Sequence, residues 1–128
     1  MTDLVKLNNQ NIVCFDVDDT LIIYDKPEHI EDIVTFSCPY TGKTVTAYPH
    51  KSHAIFIKQQ HARGRFVIVW SNAGADWAET VVRTLGLSDY VHLVMTKPIM
   101  VVDDGNTLES IVGAKVYLNK HKYLSDKG

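Results

Sequence analysis

Residues 11–21 read N-I-V-C-F-D-V-D-D-T-L, and the two halves of this stretch obey different physics. Ile12, Val13, Cys14 and Phe15 form a short, continuous apolar run rich in β-formers, which predicts a fully buried strand. The run stops in three carboxylates, Asp16, Asp18 and Asp19, followed by Thr20. Like charges this close repel one another unless something positive neutralises them. A divalent cation and a phosphate at the strand's C-terminal end account for the cluster economically, because ligands of open α/β sheets bind there. Side chains alternate along an extended strand, so Asp16 and Asp18 are expected on the same side. Asp16 can then act as a nucleophile while Asp18, one step further out, reaches the leaving group.

Outward from this stretch, the apolar character continues through residues 22–24 and breaks at Asp25-Lys26-Pro27. Residues 33–36 and 44–48 are β-rich runs on either side of C-P-Y-T-G-K, where Pro39 and Gly42 suit a loop joining antiparallel strands. A β-hairpin flap is therefore expected within an insertion at about 22–49, directly after the acidic stretch. Its polar residues Lys26, Tyr40, Lys43 and Tyr48 are candidates for substrate contact.

A helix follows over about 52–62 and ends at Gly64. F-V-I-V-W at 66–70 is a second strand, ending in Ser71-Asn72-Ala73-Gly74. The clearest helix spans about 75–85, where Ala78, Val81, Val82 and Leu85 make a stripe and Gly86 stops it. Residues 91–95 predict a third strand before Thr96-Lys97-Pro98. Residues 99–102 predict a fourth before Asp103-Asp104-Gly105, and a short helical crossover near 107–111 leads to a fifth at 114–118. Residues 1–10 and the tail after Lys120 are polar. Strands alternating with helices predict an α/β fold, a Rossmann-like three-layer sandwich on a parallel sheet of about five strands.

At 128 residues, 45% of them hydrophobic, the chain is long enough for a single domain over 1–128 with one core. No apolar run approaches the roughly 18 residues that span a bilayer, and no signal-peptide core is visible. No membrane association is expected. Cys14 and Cys38 are isolated, and Cys14 falls in a predicted buried strand, so a reducing, cytoplasmic setting is expected. The net charge of −2 without a basic block disfavours binding long nucleic acid through a cationic face.

The strand ends carry the most information: aspartates after the first, Ser71-Asn72 after the second, Lys97 after the third, Asp103-Asp104 after the fourth. D-V-D-D-T resembles the first motif, D-x-D-x-T, of the haloacid dehalogenase superfamily of phosphatases and phosphotransferases. The order acid, Ser or Thr, Lys, paired acids is similar to that superfamily from residue 11 to 118. The resemblance implies a small, cap-less Mg²⁺-dependent phosphomonoester hydrolase.

Each role has a chemical basis. Asp16, ionised at neutral pH, attacks phosphorus without a base and forms an aspartyl-phosphate. Asp18 protonates the leaving oxygen and later deprotonates water. Lys97 is the third catalytic residue, supplying fixed positive charge. Ser71 and the N–H of Asn72 suit the phosphoryl oxygens beside a helix N-terminus, with Thr20 ordering the loop. Mg²⁺ takes hard oxygen ligands. Asp16 and Asp104 are expected to ligate through side chains with Asp103 in support, and the resemblance adds the backbone carbonyl of Asp18.

Taken singly, these residues have plainer explanations. Asp18-Asp19-Thr20 and Asp103-Asp104-Gly105 read as turns, Ser71-Asn72 as a helix cap, and Lys97 as a solvated charge. Their order is what favours a site. His50-x-x-His53 lacks a third metal-ligating partner nearby and is expected at the surface. Trp70 and Trp77 are expected in packing roles.

A receiver-like phosphoacceptor domain is the competing function. Its phosphorylated aspartate follows the third strand, where this chain has Met95-Thr96. With only a flap over the site, the expected substrate is a small phosphorylated metabolite or nucleotide. A macromolecular phosphate, on a protein or at the end of an oligonucleotide, stays open as an alternative. The oligomeric state is not legible in the sequence.

Overall fold

The computed structural model describes residues 11–28 and 31–119. The polar lead-in over 1–10, His29 and Ile30 of the flap insertion, and the tail from Lys120 lie outside the described residues. Among these residues the architecture is α/β, with a parallel three-stranded sheet, an antiparallel three-stranded sheet and three α-helices.

The parallel sheet has the order β1 (Ile12–Phe15), β5 (Phe66–Ser71), β6 (Leu93–Thr96). Ile12 is level with Phe66 and Phe15 with Val69, while Ile68 is level with Leu93 and Ser71 with Thr96. Residues level across strands share a face. Phe15, Val67 and Val69 therefore share one face and are buried. Ile12, Cys14 and Leu93 share the other and are exposed. The expectation that β1 is buried on both faces, with Cys14 inside, is thus corrected. Among the described residues β1 is an edge strand, and the second face of its sheet is only partly covered.

The insertion is more than a hairpin. β3 (Val34–Ser37) and β4 (Thr44–Pro49) pair antiparallel, and β2 (Ile22–Ile23) pairs with the far end of β4, Ile22 opposite Pro49. Ile22, Ile23 and Ala47 are fully buried, so this sheet adds its own apolar surface to the core instead of standing free. Phe36 meets Trp77 edge-on at 5.3 Å, anchoring the flap to the helix that follows β5.

Helices α1 (Lys51–Ala62) and α2 (Ala75–Thr84) pack on β5. Both end in the same device. Gly64 (φ 77°) and Gly86 (φ 70°) adopt left-handed backbone. Arg65 N–H then reaches the Gln60 carbonyl, and Leu87 N–H the Val82 carbonyl. This bonding satisfies carbonyls that a helix end otherwise leaves bare. Ala78, Val81 and Val82 of α2 join Phe15, Val67, Val69 and Ile57 in one core. Each fully buried Val or Ile contributes about 1.5–3 kcal/mol by leaving water.

The expected fourth and fifth strands are not formed. Residues 99–102 and 114–118 carry no strand pairing among the described residues. Ile99 and Val102 are almost fully exposed, at 99% and 93%. The crossover helix is present as the short α3 (Leu108–Val112). An apolar β-rich run fixes a strand's propensity but not its partner, and pairing to a sheet edge is a long-range event.

Candidate active site

The acidic stretch turns sharply where β1 ends. Val17 is fully buried. Its carbonyl accepts the N–H groups of Thr20, Leu21 and Ile22 at 3.1, 2.8 and 3.3 Å. Asp19 takes up a left-handed conformation (φ 59°), which the short polar Asp tolerates better than most residues. With Val17 pointing inward, Asp16 and Asp18 stay half-exposed on either side of it.

Asp16 is held from two directions. The Thr20 hydroxyl donates to its Oδ2 at 3.3 Å, and Lys97 Nζ stands 3.9 Å from its Oδ1. Both side chains of this ion pair are about a third exposed (36% and 35%), so it adds little to stability. Its value is local: a fixed positive charge beside a carboxylate that is open to solvent.

Lys97 is positioned by the ends of two strands. Its N–H donates to the Ser71 carbonyl at 2.9 Å, which continues the β5–β6 ladder past Thr96. Ser71 is buried, and its Oγ accepts the Ala73 N–H at 3.0 Å, while Asn72 is exposed. The Thr96 hydroxyl accepts the Ala75 N–H at 3.1 Å, so β6 caps the start of α2. Gly74 has φ 113°, and any side chain there would run into the Tyr40 hydroxyl of the flap. Tyr40 thus sits at the N-terminus of α2. Lys26 and Lys43 are exposed, and Tyr48 is half-buried.

Asp18 makes contacts that the sequence did not disclose. Tyr24 donates to its Oδ1 at 2.6 Å, and the indole N–H of Trp77 to the same oxygen at 3.2 Å. Burial pushes the Tyr24 phenol well above its ordinary range, reinforced by the hydrogen bond to Asp18 and by the charges of Asp18 and Asp19. Trp77 does pack in the core, as expected, but its polar edge serves the site. No spacing in the sequence links residue 77 to residue 18. An indole buried near an acidic loop needs an acceptor, and that is the only available hint.

Asp103 and Asp104 are exposed, and Asp103 Oδ1 accepts the N–H of Gly105 at 2.7 Å in a local turn. Among the described residues, no three His, Cys, Asp or Glu side chains are gathered so that they could hold a metal ion. Asp16 and Asp18 offer hard oxygens of the type Mg²⁺ takes, but the paired acids do not join them. The donor set is incomplete for that ion in this arrangement.

Comparisons with protein-family models, with curated proteins and with solved structures gave no match.

The surface expectation for His50 and His53 is overturned. They are 0% and 3% exposed, their rings stacked at 3.7 Å. Their nitrogens face backbone groups and not solvent. The H-x-x-H spacing places both rings at the start of one helix, and the neighbouring loop and the segment around Leu118 cover them. No helix among the described residues is long and apolar enough to cross a membrane.

Proposed function

We propose that this chain is a phosphomonoester hydrolase that acts through an aspartyl-phosphate on Asp16, as its resemblance to the haloacid dehalogenase superfamily implies. One observation carries the proposal. Asp16, Thr20 and Lys97 meet within hydrogen-bond and ion-pair range, and the Lys97 backbone is tied to Ser71, although Ser71 and Lys97 lie far from Asp16 and Thr20 in the chain.

In the first step an Asp16 carboxylate oxygen attacks phosphorus, and the bond from phosphorus to the ester oxygen breaks. The departing oxygen takes a proton from Asp18. In the second step water attacks the aspartyl-phosphate, Asp18 takes the water's proton, and the Asp16–phosphorus bond breaks to release phosphate. Lys97 offsets the charge on the phosphoryl oxygens, and backbone N–H groups near Asn72 orient them. Tyr24 and Trp77 fix the Asp18 carboxylate, so the proton it carries is delivered from a defined position.

Mg²⁺ belongs to the same proposal, with Asp16, Asp18, Asp104 and Asp103 as ligands, and so does the five-stranded parallel sheet. Among the described residues β1 has no partner on its outer edge, and residues 99–102 are an exposed, unpaired β-rich run that ends at the two acids. Pairing the run to that edge would carry Asp103 and Asp104 toward Asp16. Small phosphorylated metabolites or nucleotides are the proposed substrates, in a reducing cytoplasmic setting.

The test is turnover of an aryl phosphate by purified protein and by Asp16→Asn. The variant is expected to keep its circular dichroism spectrum and to lose activity. A comparable rate in the variant overturns the proposal. A long-lived acyl-phosphate without phosphate release would favour the receiver-like alternative.

A further inference from the structure

Three consecutive carbonyls of the nucleophile loop are received by groups outside it. The Tyr117 hydroxyl donates to the Asp19 carbonyl at 2.8 Å. His53 Nδ1 lies 2.6 Å from the Thr20 carbonyl. The His50 N–H donates to the Leu21 carbonyl at 2.9 Å. Thr20 is also the residue whose hydroxyl holds Asp16.

The hydrogen bonds fix the proton positions on both rings. Leu118 N–H donates to His53 Nε2 at 2.9 Å, so Nε2 carries no proton and Nδ1–H donates to Thr20. His53 N–H donates to His50 Nδ1 at 3.2 Å, so His50 caps α1 and carries its proton on Nε2, facing the Leu118 carbonyl at 3.1 Å. Leu118 is therefore gripped at both its N–H and its C=O by one stacked pair of neutral imidazoles. A second proton on either ring would set an N–H against an N–H.

We infer that His50 and His53 are positioning residues that lock the Asp16–Thr20 loop and couple it to the 117–119 segment, so that protonating His53 loosens both together. That the locked loop is the catalytic one rests on the function proposed above, whereas the coupling itself does not. Among the described residues, the titratable groups facing His53 are His50, stacked on it, and Tyr117, edge-on at 4.9 Å. From the loop it meets only the Thr20 carbonyl, and the Asp19 charge acts on Tyr117. Burial holds the His53 imidazole below its ordinary value, in the sense that keeps the lock closed at neutral pH.

The experiment is ring-nitrogen NMR on the full chain from pH 8 to pH 5, with amide exchange at Leu118 corrected for its intrinsic pH dependence. His53 is expected as the Nδ1–H tautomer. Leu118 protection is expected to fall about tenfold or more in step with its titration. An Nε2–H tautomer, or Leu118 exchange indifferent to His53 protonation, overturns the inference.

Two variants separate the arms. His53→Asn keeps a donor near Thr20 but lacks the acceptor for Leu118. It should lose Leu118 protection. His53→Gln reaches toward Leu118 but not Thr20, and should lose more turnover than His53→Asn. Equal behaviour of the two contradicts the division of roles. A chain with no phosphatase activity at all would overturn the proposed function while leaving the NMR result to decide the coupling.

Discussion

The indole N–H of Trp77 donates to Oδ1 of Asp18 at 3.2 Å, so the helix that follows β5 holds the acid that follows β1. Trp77→Phe keeps an aromatic ring against Phe36 and deletes only this donor and part of the packing. The expected cost is about 0.5–1.5 kcal/mol of stability, the usual net value of a hydrogen bond. The rate should fall most on substrates with poor leaving groups, where proton delivery limits the reaction. Urea unfolding and a leaving-group series check both. A uniform loss across the series would mean that Trp77 does not act through Asp18.

Lys97 and Asp16 separate activity from stability. Their 3.9 Å pair is partly solvent-screened, so Lys97→Met should change stability by only about 0–1 kcal/mol. The same change should lower kcat/KM by about a hundredfold or more, as removing a preorganised stabilising group does elsewhere. A variant that is both stable and fully active would remove Lys97 from the mechanism.

How much of this was readable beforehand depends on the range of the interactions. β1, the pairing of β3 with β4, both long helices and their glycine stops were legible because propensity, periodicity and left-handed glycines act within a few residues. The polar ends of the first three strands were legible too, and Lys97 stands beside Asp16 as they suggest, whereas Asp103-Asp104 follow no strand among the described residues. Tyr24 and Trp77 on Asp18 were not, since no local pattern encodes which acid a buried indole will find. His50 and His53 were misjudged because their burial depends on the loop at Thr20 and on Leu118, both remote in sequence. Residues 99–102 have strand composition without strand pairing, and composition cannot name a partner.

The buried His53 sets a direction for pH dependence. Its folded pKa is lowered from an ordinary 6.5, so the unfolded chain binds more protons once the pH falls below that value. Stability is then complete above about pH 6.5 and declines as the pH drops toward the lowered folded pKa. Thermal unfolding between pH 5 and 7.5 should show this slope, flattened in His53→Asn. An unchanged slope in that variant would assign the pH dependence to other groups.

Metal dependence tests the proposed role of the paired acids. Activity is expected to require Mg²⁺ and to disappear in EDTA, with Asp104→Asn raising the Mg²⁺ requirement more than Asp103→Asn. Full activity in EDTA would detach both acids from the reaction.

The central claim is that phosphorus becomes bonded to Asp16. The most direct measurement is mass spectrometry of peptides from protein quenched in acid during turnover of an aryl phosphate. One phosphoryl group is expected on the peptide that contains Asp16, absent in Asp16→Asn and removed by hydroxylamine, which cleaves acyl-phosphates. Turnover with no label on that peptide, or with a label that survives Asp16→Asn, would contradict the account.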